Sequence, residues 1–135
     1  MHDDARTQAQ TKIHHLISVY NNAGDRGRIE EMVGVFAKGG VLEVDGISYT
    51  GMPAIRDFLG GVADGTAAVD LRGSRHHLTT SRIEFESEDA ALGWTYFLVM
   101  RGATIIQNGM YTDRFARQGG RWVLVHRRVK YERIA

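Results

Sequence analysis

Cysteine is absent from this chain of 135 residues, and its absence narrows the chemistry that the chain can perform. Disulfide scaffolds, thiol nucleophiles, zinc-thiolate sites and iron-sulfur ligation by this chain are all excluded. Six histidines are present, but the doublets His14-His15 and His76-His77 are adjacent and are poorly placed to bind one metal ion together. We therefore expect no metal site and a chemistry that uses oxygen and nitrogen groups.

Long apolar runs and an excess of charge are also missing. No segment approaches the roughly 18 apolar residues of a membrane span, and the polar residues 1–12 lack the apolar stretch of a signal peptide. We expect a cytoplasmic protein that binds no membrane. The 17 basic and 16 acidic side chains leave a net charge of +1, which does not favour nucleic acid as a partner. No glycine-rich nucleotide fingerprint or P-loop lysine is present, so we expect no cofactor.

The length and the 43% hydrophobic content suit one globular domain over residues 1–135. Hydrophobic periodicity predicts two amphipathic helices, and a breaker cluster at residues 21–25 between them places Asp25 at the N-cap of the second helix. Gly39-Gly40 is predicted to end that helix, Asp45-Gly46 to turn a hairpin, and Pro53 to start a third helix. The helix positions on the apolar faces are Ile13, Leu16, Ile17 and Tyr20, then Ile29, Met32, Val33 and Phe36, then Met52, Ile55, Leu59 and Val62.

The C-terminal half has the periodicity of strands after a connection at residues 60–70. Three helices before a long antiparallel meander predict an α+β fold, in which the helices close one face of a curved, cone-shaped sheet around a pocket. The predicted strands are 72–80, 82–87, 90–101, 104–117 and 121–132, with turns at 88–89, 102–103 and 119–120.

Strand alternation predicts which polar side chains point inward. Arg127 lies in a stripe with Val123, Val125 and Val129, so it needs an anionic or strongly accepting partner if that stripe is buried. A structural ion pair, an arginine at the rim and the binding of an anionic or oxyanionic ligand group each explain it. His76 shares its side with Leu78 and is the better candidate of the doublet for the interior.

Several residues allow both a structural and a functional interpretation. Asp25 is explained by helix capping alone, and Tyr20 by filling core volume at the end of an apolar helix stripe. Tyr49, Tyr96 and Tyr111 can line a common pocket as hydrophobic wall.

The order of elements and a set of short strings resemble the SnoaL-like branch of the nuclear transport factor 2-like superfamily. The match covers nearly the whole chain, and it is the order of the strings that is specific. The strings are Tyr20 with residues 25–29 and Phe36, then 48–51 with Ile55 and Phe58, then 75–80, then 109–115, and finally 120–122 with Arg127.

Within that branch the chain is similar to scytalone dehydratase, bile acid 7α-dehydratase and γ-hexachlorocyclohexane dehydrochlorinase, which are cofactor-free elimination enzymes. The resemblance implies a catalytic pair of Asp25 and His76, and it matches Tyr20 to a polar pocket position and Arg127 to an arginine on the last strand. Arg127 and a tyrosine hydroxyl, from Tyr20 or Tyr49, would assist the pair. It also implies a homodimer formed through the outer face of the sheet. Phe97 or Leu98 stands where scytalone dehydratase has a second histidine, so a relay with two histidines is not expected. The residues expected to bind substrate are Tyr49, Tyr96, Tyr111 and Phe36.

These residues predict a cofactor-independent lyase of the dehydratase type that acts on a small hydrophobic cyclic substrate. His76 would be the general base, oriented by Asp25. Isomerisation and cyclisation need the same proton abstraction and are alternatives. A non-catalytic ligand carrier and a structural small subunit of a ring-hydroxylating dioxygenase are two further alternatives.

Overall fold

The computed structural model describes residues 1–67 and 70–132, which form three helices and one six-stranded sheet. The predicted connection at 60–70 includes residues 68–69, which lie outside the described residues. The helices are α1 (Asp3–Asp25), α2 (Ile29–Val33) and α3 (Met52–Asp64). The strands are β1 (Phe36–Val44), β2 (Ile47–Thr50), β3 (Arg75–Ser87), β4 (Ala90–Arg101), β5 (Thr104–Gln118) and β6 (Arg121–Glu132).

The sheet has the strand order β2-β1-β6-β5-β4-β3 and is curved and unclosed, with β2 and β3 at its edges. β1 pairs with β6 in parallel, and the other neighbours are antiparallel. α1 contacts β3 and β6, while α3 contacts β1 and β2. The predicted α+β class, with three helices against a curved sheet, is confirmed.

The first helix is longer than predicted, because residues 21–25 continue it instead of breaking it. It ends at Asp25, and Gly27, two residues further on, has a φ of +69°, a conformation that glycine adopts without steric cost. The amide of Gly27 donates to the carbonyl of Gly24 at 3.1 Å, and the amide of Arg28 donates to that of Ala23 at 2.8 Å. This pair of bonds is a Schellman ending. The prediction that Asp25 caps the second helix is therefore wrong: Asp25 is the last residue of α1.

The second helix is shorter than predicted, and Phe36 begins β1 instead of ending a helical stripe. Phe36 pairs with Leu124 of β6, and just before it the carbonyl of Val35 accepts the amide of Leu124 at 2.8 Å. The side chains of Phe36 and Leu124 are fully buried. Pairing with a strand far along the chain thus overrides a helical pattern that only local spacing supported.

The turn predicted at Asp45-Gly46 and the helix start predicted at Pro53 are confirmed. The prediction that Gly39-Gly40 ends the second helix is wrong: both glycines lie within β1, which pairs with β6. Asp45 and Gly46 both have positive φ, of +53° and +80°, as a two-residue primed hairpin turn requires. Pro53 lies in the first turn of α3, and Ile55 and Leu59 form its buried side. The two strands predicted over 72–87 are one strand, β3, with an irregularity between residues 78 and 81. The other three strands and their turns lie where predicted.

A bulge in β6 changes which residues face the core. Leu124 pairs with Phe115 and His126 with Arg114, so Val125 is the extra residue. Leu124 is buried before the bulge and Arg127 after it, so the regular valine stripe of the prediction is interrupted. Arg127 nevertheless faces inward, as expected.

No helix among the described residues is long and apolar enough to cross a membrane.

Candidate functional site

A cavity of about 250 Å³ lies between the helices and the concave side of the sheet. Its wall includes residues from α1, α2 and α3, from the five strands β1, β3, β4, β5 and β6, and from the connection before β3. Apolar side chains supply much of the wall, among them Ile29, Met32, Phe58, Leu59, Leu71 and Phe97.

Asp25 and His76 meet at the wall of this cavity. The Nδ1 atom of His76 lies 2.8 Å from Oδ1 of Asp25. The backbone amide of His76 also donates to both carboxylate oxygens, at 3.2 Å and 3.0 Å. The side chains are 15% and 18% exposed for His76 and Asp25 respectively, so each retains some access to the cavity or to solvent.

Local structure explains this contact. The Schellman ending places Asp25 on the last turn of α1, and His76 is the second residue of the edge strand β3. An edge strand has amides that no neighbouring strand accepts, and the carboxylate of Asp25 accepts one of them. Strand alternation turns His76 toward the cavity and leaves His77 exposed, as the sequence predicts.

The contact also determines which ring nitrogen of neutral His76 carries the hydrogen. An ionised carboxylate only accepts hydrogen bonds, so Nδ1 carries the hydrogen that Asp25 binds. In the neutral ring Nε2 then has a free electron pair. The pair can take a proton at Nε2 and hold the resulting imidazolium next to a negative charge.

Arg127 lies beneath the cavity and does not line it. Its Nε and Nη2 donate to the two carboxylate oxygens of Asp113, at 2.9 Å and 2.8 Å, and both side chains are fully buried. Its guanidinium carbon lies 4.5 Å from the ring centre of Tyr20 and 3.8 Å from that of Tyr111. The structure therefore supports the structural ion pair, not the expected contact between Arg127 and a ligand oxyanion.

Tyr20 and Tyr111 both line the cavity, and their rings meet edge to face at 6.2 Å. Burial raises the pKa of Tyr20 and Tyr111, although the positive charge of Arg127 opposes the rise. Burial also raises the pKa of Tyr131, on the same cavity wall, to about 12. These hydroxyls therefore remain protonated and can donate hydrogen bonds.

Burial alone lowers the pKa of Arg127, but the charge of Asp113 and its hydrogen bonds outweigh burial, so the pKa is raised. The guanidinium is therefore permanently charged.

Three of the expected substrate-binding residues are not brought to the cavity. Phe36 is fully buried and packs edge to face on Tyr20 at 6.0 Å. Tyr49 stacks on Phe58 at 4.2 Å and only supports that cavity residue from behind. Tyr96 is 52% exposed, because even-numbered residues of β4 face away from the core. These expectations are corrected. Tyr111 alone of the four lines the cavity.

Sequence reasoning missed several polar residues of the cavity, among them Asn21 and Gln107. Asn21 falls in the predicted breaker cluster, and its place one turn before Asp25 is evident only once α1 is known to continue. Gln107 shares the inward phase of β5 with Tyr111, which alternation could have shown.

Phe97 lies on the cavity wall and stacks on Tyr111, with the ring centres 4.6 Å apart. Phe97 is one of the two residues that the resemblance matches to the second histidine of scytalone dehydratase, and it places an aromatic ring in the wall. In the part of the chain that the structure describes, no three His, Asp or Glu side chains are grouped to hold a metal ion.

A six-stranded open sheet that encloses an apolar cavity with three helices defines a protein of the nuclear transport factor 2-like, or cystatin-like, class. Within that class the chain belongs to the SnoaL-like domain family, whose model matches residues 5–128. No curated protein matches the chain.

Solved structures of similar fold include a variant of Rv3472 from Mycobacterium tuberculosis, a protein of unknown function. It is 27% identical, covers 97% of this chain and 76% of its own, and superposes with a TM-score of 0.85. A hexachlorocyclohexane dehydrochlorinase of LinA type 3, from Novosphingobium barchaimii, is 20% identical, and the alignment covers 99% of this chain and 93% of the dehydrochlorinase, with a TM-score of 0.81. A candidate scytalone dehydratase from Novosphingobium aromaticivorans is 22% identical, and the alignment covers 98% of this chain and 89% of that protein, with a TM-score of 0.82. At these identities the last two show the shared fold.

Proposed function

We propose that this protein is a cofactor-independent lyase that removes water from a small hydrophobic cyclic substrate carrying a carbonyl group. The observation that supports this most directly is the contact between Asp25 and His76 at 2.8 Å, at the wall of a largely apolar cavity. A carboxylate-oriented imidazole is the arrangement that a general base near neutral pH needs.

In the proposed reaction, Nε2 of His76 takes the proton from the carbon next to the carbonyl group. The electron pair of that C–H bond forms the new C=C bond, and the C–O bond to the neighbouring hydroxyl group breaks. The imidazolium returns its proton to the departing hydroxyl, which leaves as water. Asp25 stabilises the imidazolium between the two transfers. Isomerisation and cyclisation begin with the same proton abstraction and differ in where the electron pair goes.

Tyr20 is the hydroxyl donor that we assign to the developing negative charge, because it lines the cavity and its raised pKa keeps it protonated. Arg127 acts as a positioning residue. It packs against the rings of Tyr20 and Tyr111 while its charge is balanced by Asp113.

Proteins of similar fold support an elimination. Two of them are named for losses of small molecules, as a dehydrochlorinase and as a candidate scytalone dehydratase. The apolar wall suits a ring system, whose burial would supply most of the binding free energy.

The test measures proton abstraction directly, as deuterium exchange at acidic C–H positions of cyclic ketones in D₂O. The wild-type protein should accelerate exchange for at least one member of the panel, and His76→Ala should lower that rate by about 10²- to 10⁴-fold. Asp25→Asn should also slow the exchange, because the uncharged side chain of asparagine does not stabilise the imidazolium as the carboxylate does. His77→Ala is the matched control, since its ring is exposed on the other side of the strand, and it should exchange at the wild-type rate.

Exchange that continues unchanged in His76→Ala would reject His76 as the base. Tight ligand binding without exchange for any ketone would instead favour the ligand carrier. Copurification with a larger iron-containing subunit would favour the dioxygenase subunit.

A further inference from the structure

Two amide side chains in the cavity have oxygen atoms without a hydrogen-bond partner among the described residues. They are Oδ1 of Asn21 and Oε1 of Gln107, and both atoms are buried. Both residues line the cavity, and Asn21 as a whole is only 5% exposed. Buried acceptors without partners are costly to the free protein, so they need an explanation.

The two amides occupy defined positions relative to the proposed base. Asn21 lies four residues before Asp25 in α1, and hence on the same face of the helix. Gln107 pairs with Val99 in the sheet, and Val99 pairs with His76 on its other side. His76 and Gln107 are therefore two strands apart on one face, roughly 10 Å between their backbones.

The orientation of the Asn21 amide is set by its neighbours. Its Nδ2 donates to the hydroxyl oxygen of Tyr111 at 2.9 Å. The ring of Tyr111 is held in turn by Phe97, stacked at 4.6 Å, and by the guanidinium of Arg127. With Nδ2 engaged, the free group of Asn21 is the acceptor Oδ1.

We propose that Asn21 and Gln107 form a second polar subsite of the cavity, in which one or the other amide oxygen accepts the hydrogen bond that a hydroxyl group of the substrate donates. This deepens the proposed function and rests on it, because it specifies a hydroxylated ring held between the subsite and His76. Sites built to pair with a hydroxyl discriminate strongly against analogues that lack the hydrogen. The two residues determine specificity and take no part in proton transfer.

Ligand binding tests the subsite without any reaction. The probes are 2-naphthol, which donates a hydrogen bond, and naphthalene and 2-methoxynaphthalene, which do not. Their own fluorescence reports binding in a titration with protein. The wild type should bind 2-naphthol about three- to tenfold more tightly than either analogue, the range that one net hydrogen bond provides. A wild type without that preference overturns the proposal.

Gln107→Met, which keeps the side-chain length and removes the acceptor, should reduce the preference, and Asn21→Leu should do the same. Gln107→Glu keeps an acceptor and should retain it. The matched control is Asn108→Leu, which removes an amide from the opposite face of the same strand and should leave the preference unchanged. Preference that persists in both Gln107→Met and Asn21→Leu overturns the proposal.

Two more measurements distinguish a ligand-binding role of Gln107 from a purely structural one, and the subsite from the base. A structural role predicts a lower Tm for Gln107→Met, whereas a ligand-binding role predicts a Tm at least as high as that of the wild type. His76→Ala should lose deuterium exchange but keep the preference for 2-naphthol. Failure of the catalytic proposal and failure of the subsite therefore give different results.

Discussion

Arg127 and Asp113 carry opposite charges in the fully buried interior, where an unpaired charge is very unfavourable. Two hydrogen bonds and two flanking tyrosine rings surround the guanidinium. The ion pair therefore supports the floor of the cavity. Its contribution to the free energy of unfolding can be tested without knowing the substrate.

Replacing Arg127 with methionine should lower the free energy of unfolding by about 3–5 kcal/mol, because the carboxylate of Asp113 is left buried without its partner. The double variant Arg127→Met with Asp113→Leu should lose less than the single variant. Urea denaturation measures both. A single variant as stable as the wild type would show that the pair is not buried as described.

Alkaline pH should destabilise the protein through its buried tyrosines. The pKa of Tyr20, Tyr111 and Tyr131 is higher in the folded state than the ordinary value of 10.0. The stability from these protonated hydroxyls is therefore complete below about pH 10 and is lost as pH rises through the folded-state values. The urea midpoint should be lower at about pH 11 than at about pH 9. Absorbance of tyrosinate should rise together with unfolding, and full ionisation of all five tyrosines in a folded protein would contradict this.

At the scale of elements, the strands β5 and β6 approach closely beside the cavity at Gly109. A Cβ atom there would collide with the carbonyl oxygen of Lys130 and would lie 2.7 Å from Cζ of Phe97. The glycine thus leaves room for the ring that stacks on Tyr111.

Gly109→Ala should lower the free energy of unfolding by about 1–3 kcal/mol through overpacking, and should weaken ligand binding by shifting Phe97. The contrast is Gly60→Ala in α3, where a Cβ meets nothing within 4 Å. That change should stabilise the protein by roughly 0.5–1 kcal/mol, since alanine favours helix. Thermal and urea unfolding of the two variants should move in opposite directions.

Elements whose boundaries depend on local chemistry were predictable from the sequence. Asp45-Gly46 and Pro53 specify their turn and helix start through backbone preferences that need no distant contact. The end of α1 and the conformation of Phe36 were not predictable in this way. Gly27 ends the helix in place of residues 21–25, and Phe36 follows a strand partner, Leu124, that no local pattern reveals.

The site shows the same division between local and distant information. Alternation predicted the inward direction of His76 next to Leu78, and that of Arg127 next to Val129, whereas the bulge at Val125 breaks the alternation before Arg127. Their partners required more: Asp25 is 51 residues from His76, and only family resemblance paired them before the structure. Asp113 was missed because no local pattern pairs an arginine with a carboxylate 14 residues away. Gln107 was missed although alternation from Tyr111 places it on the inward side of β5.

At the scale of the whole molecule, the outer face of the sheet carries a row of apolar side chains. Tyr96 is 52% exposed and Ile105 is 45% exposed. On β4 the outward row consists of Leu92, Trp94, Tyr96, Leu98 and Met100.

We expect this face to pair two copies of the chain, so that light scattering with size exclusion gives a mass near twice 15.1 kDa. Tyr96→Lys should give a monomer by placing a charge in the interface. Ile47→Lys, at an exposed position on β2 at the far edge of the sheet, should remain dimeric. A wild type of monomer mass would reject the pairing.

The carboxylate of Asp25 accepts hydrogen bonds from both the ring and the backbone amide of His76, and the bond to the amide affects aggregation as well as the proposed catalysis. Exposed edge amides recruit strands from other molecules, and this carboxylate occupies one at an open margin of the sheet. Asp25→Ala should therefore scatter more light on heating than His76→Ala, which keeps both the amide and the carboxylate. The carboxylate that orients the proposed base would then also protect the edge of the sheet from aggregation.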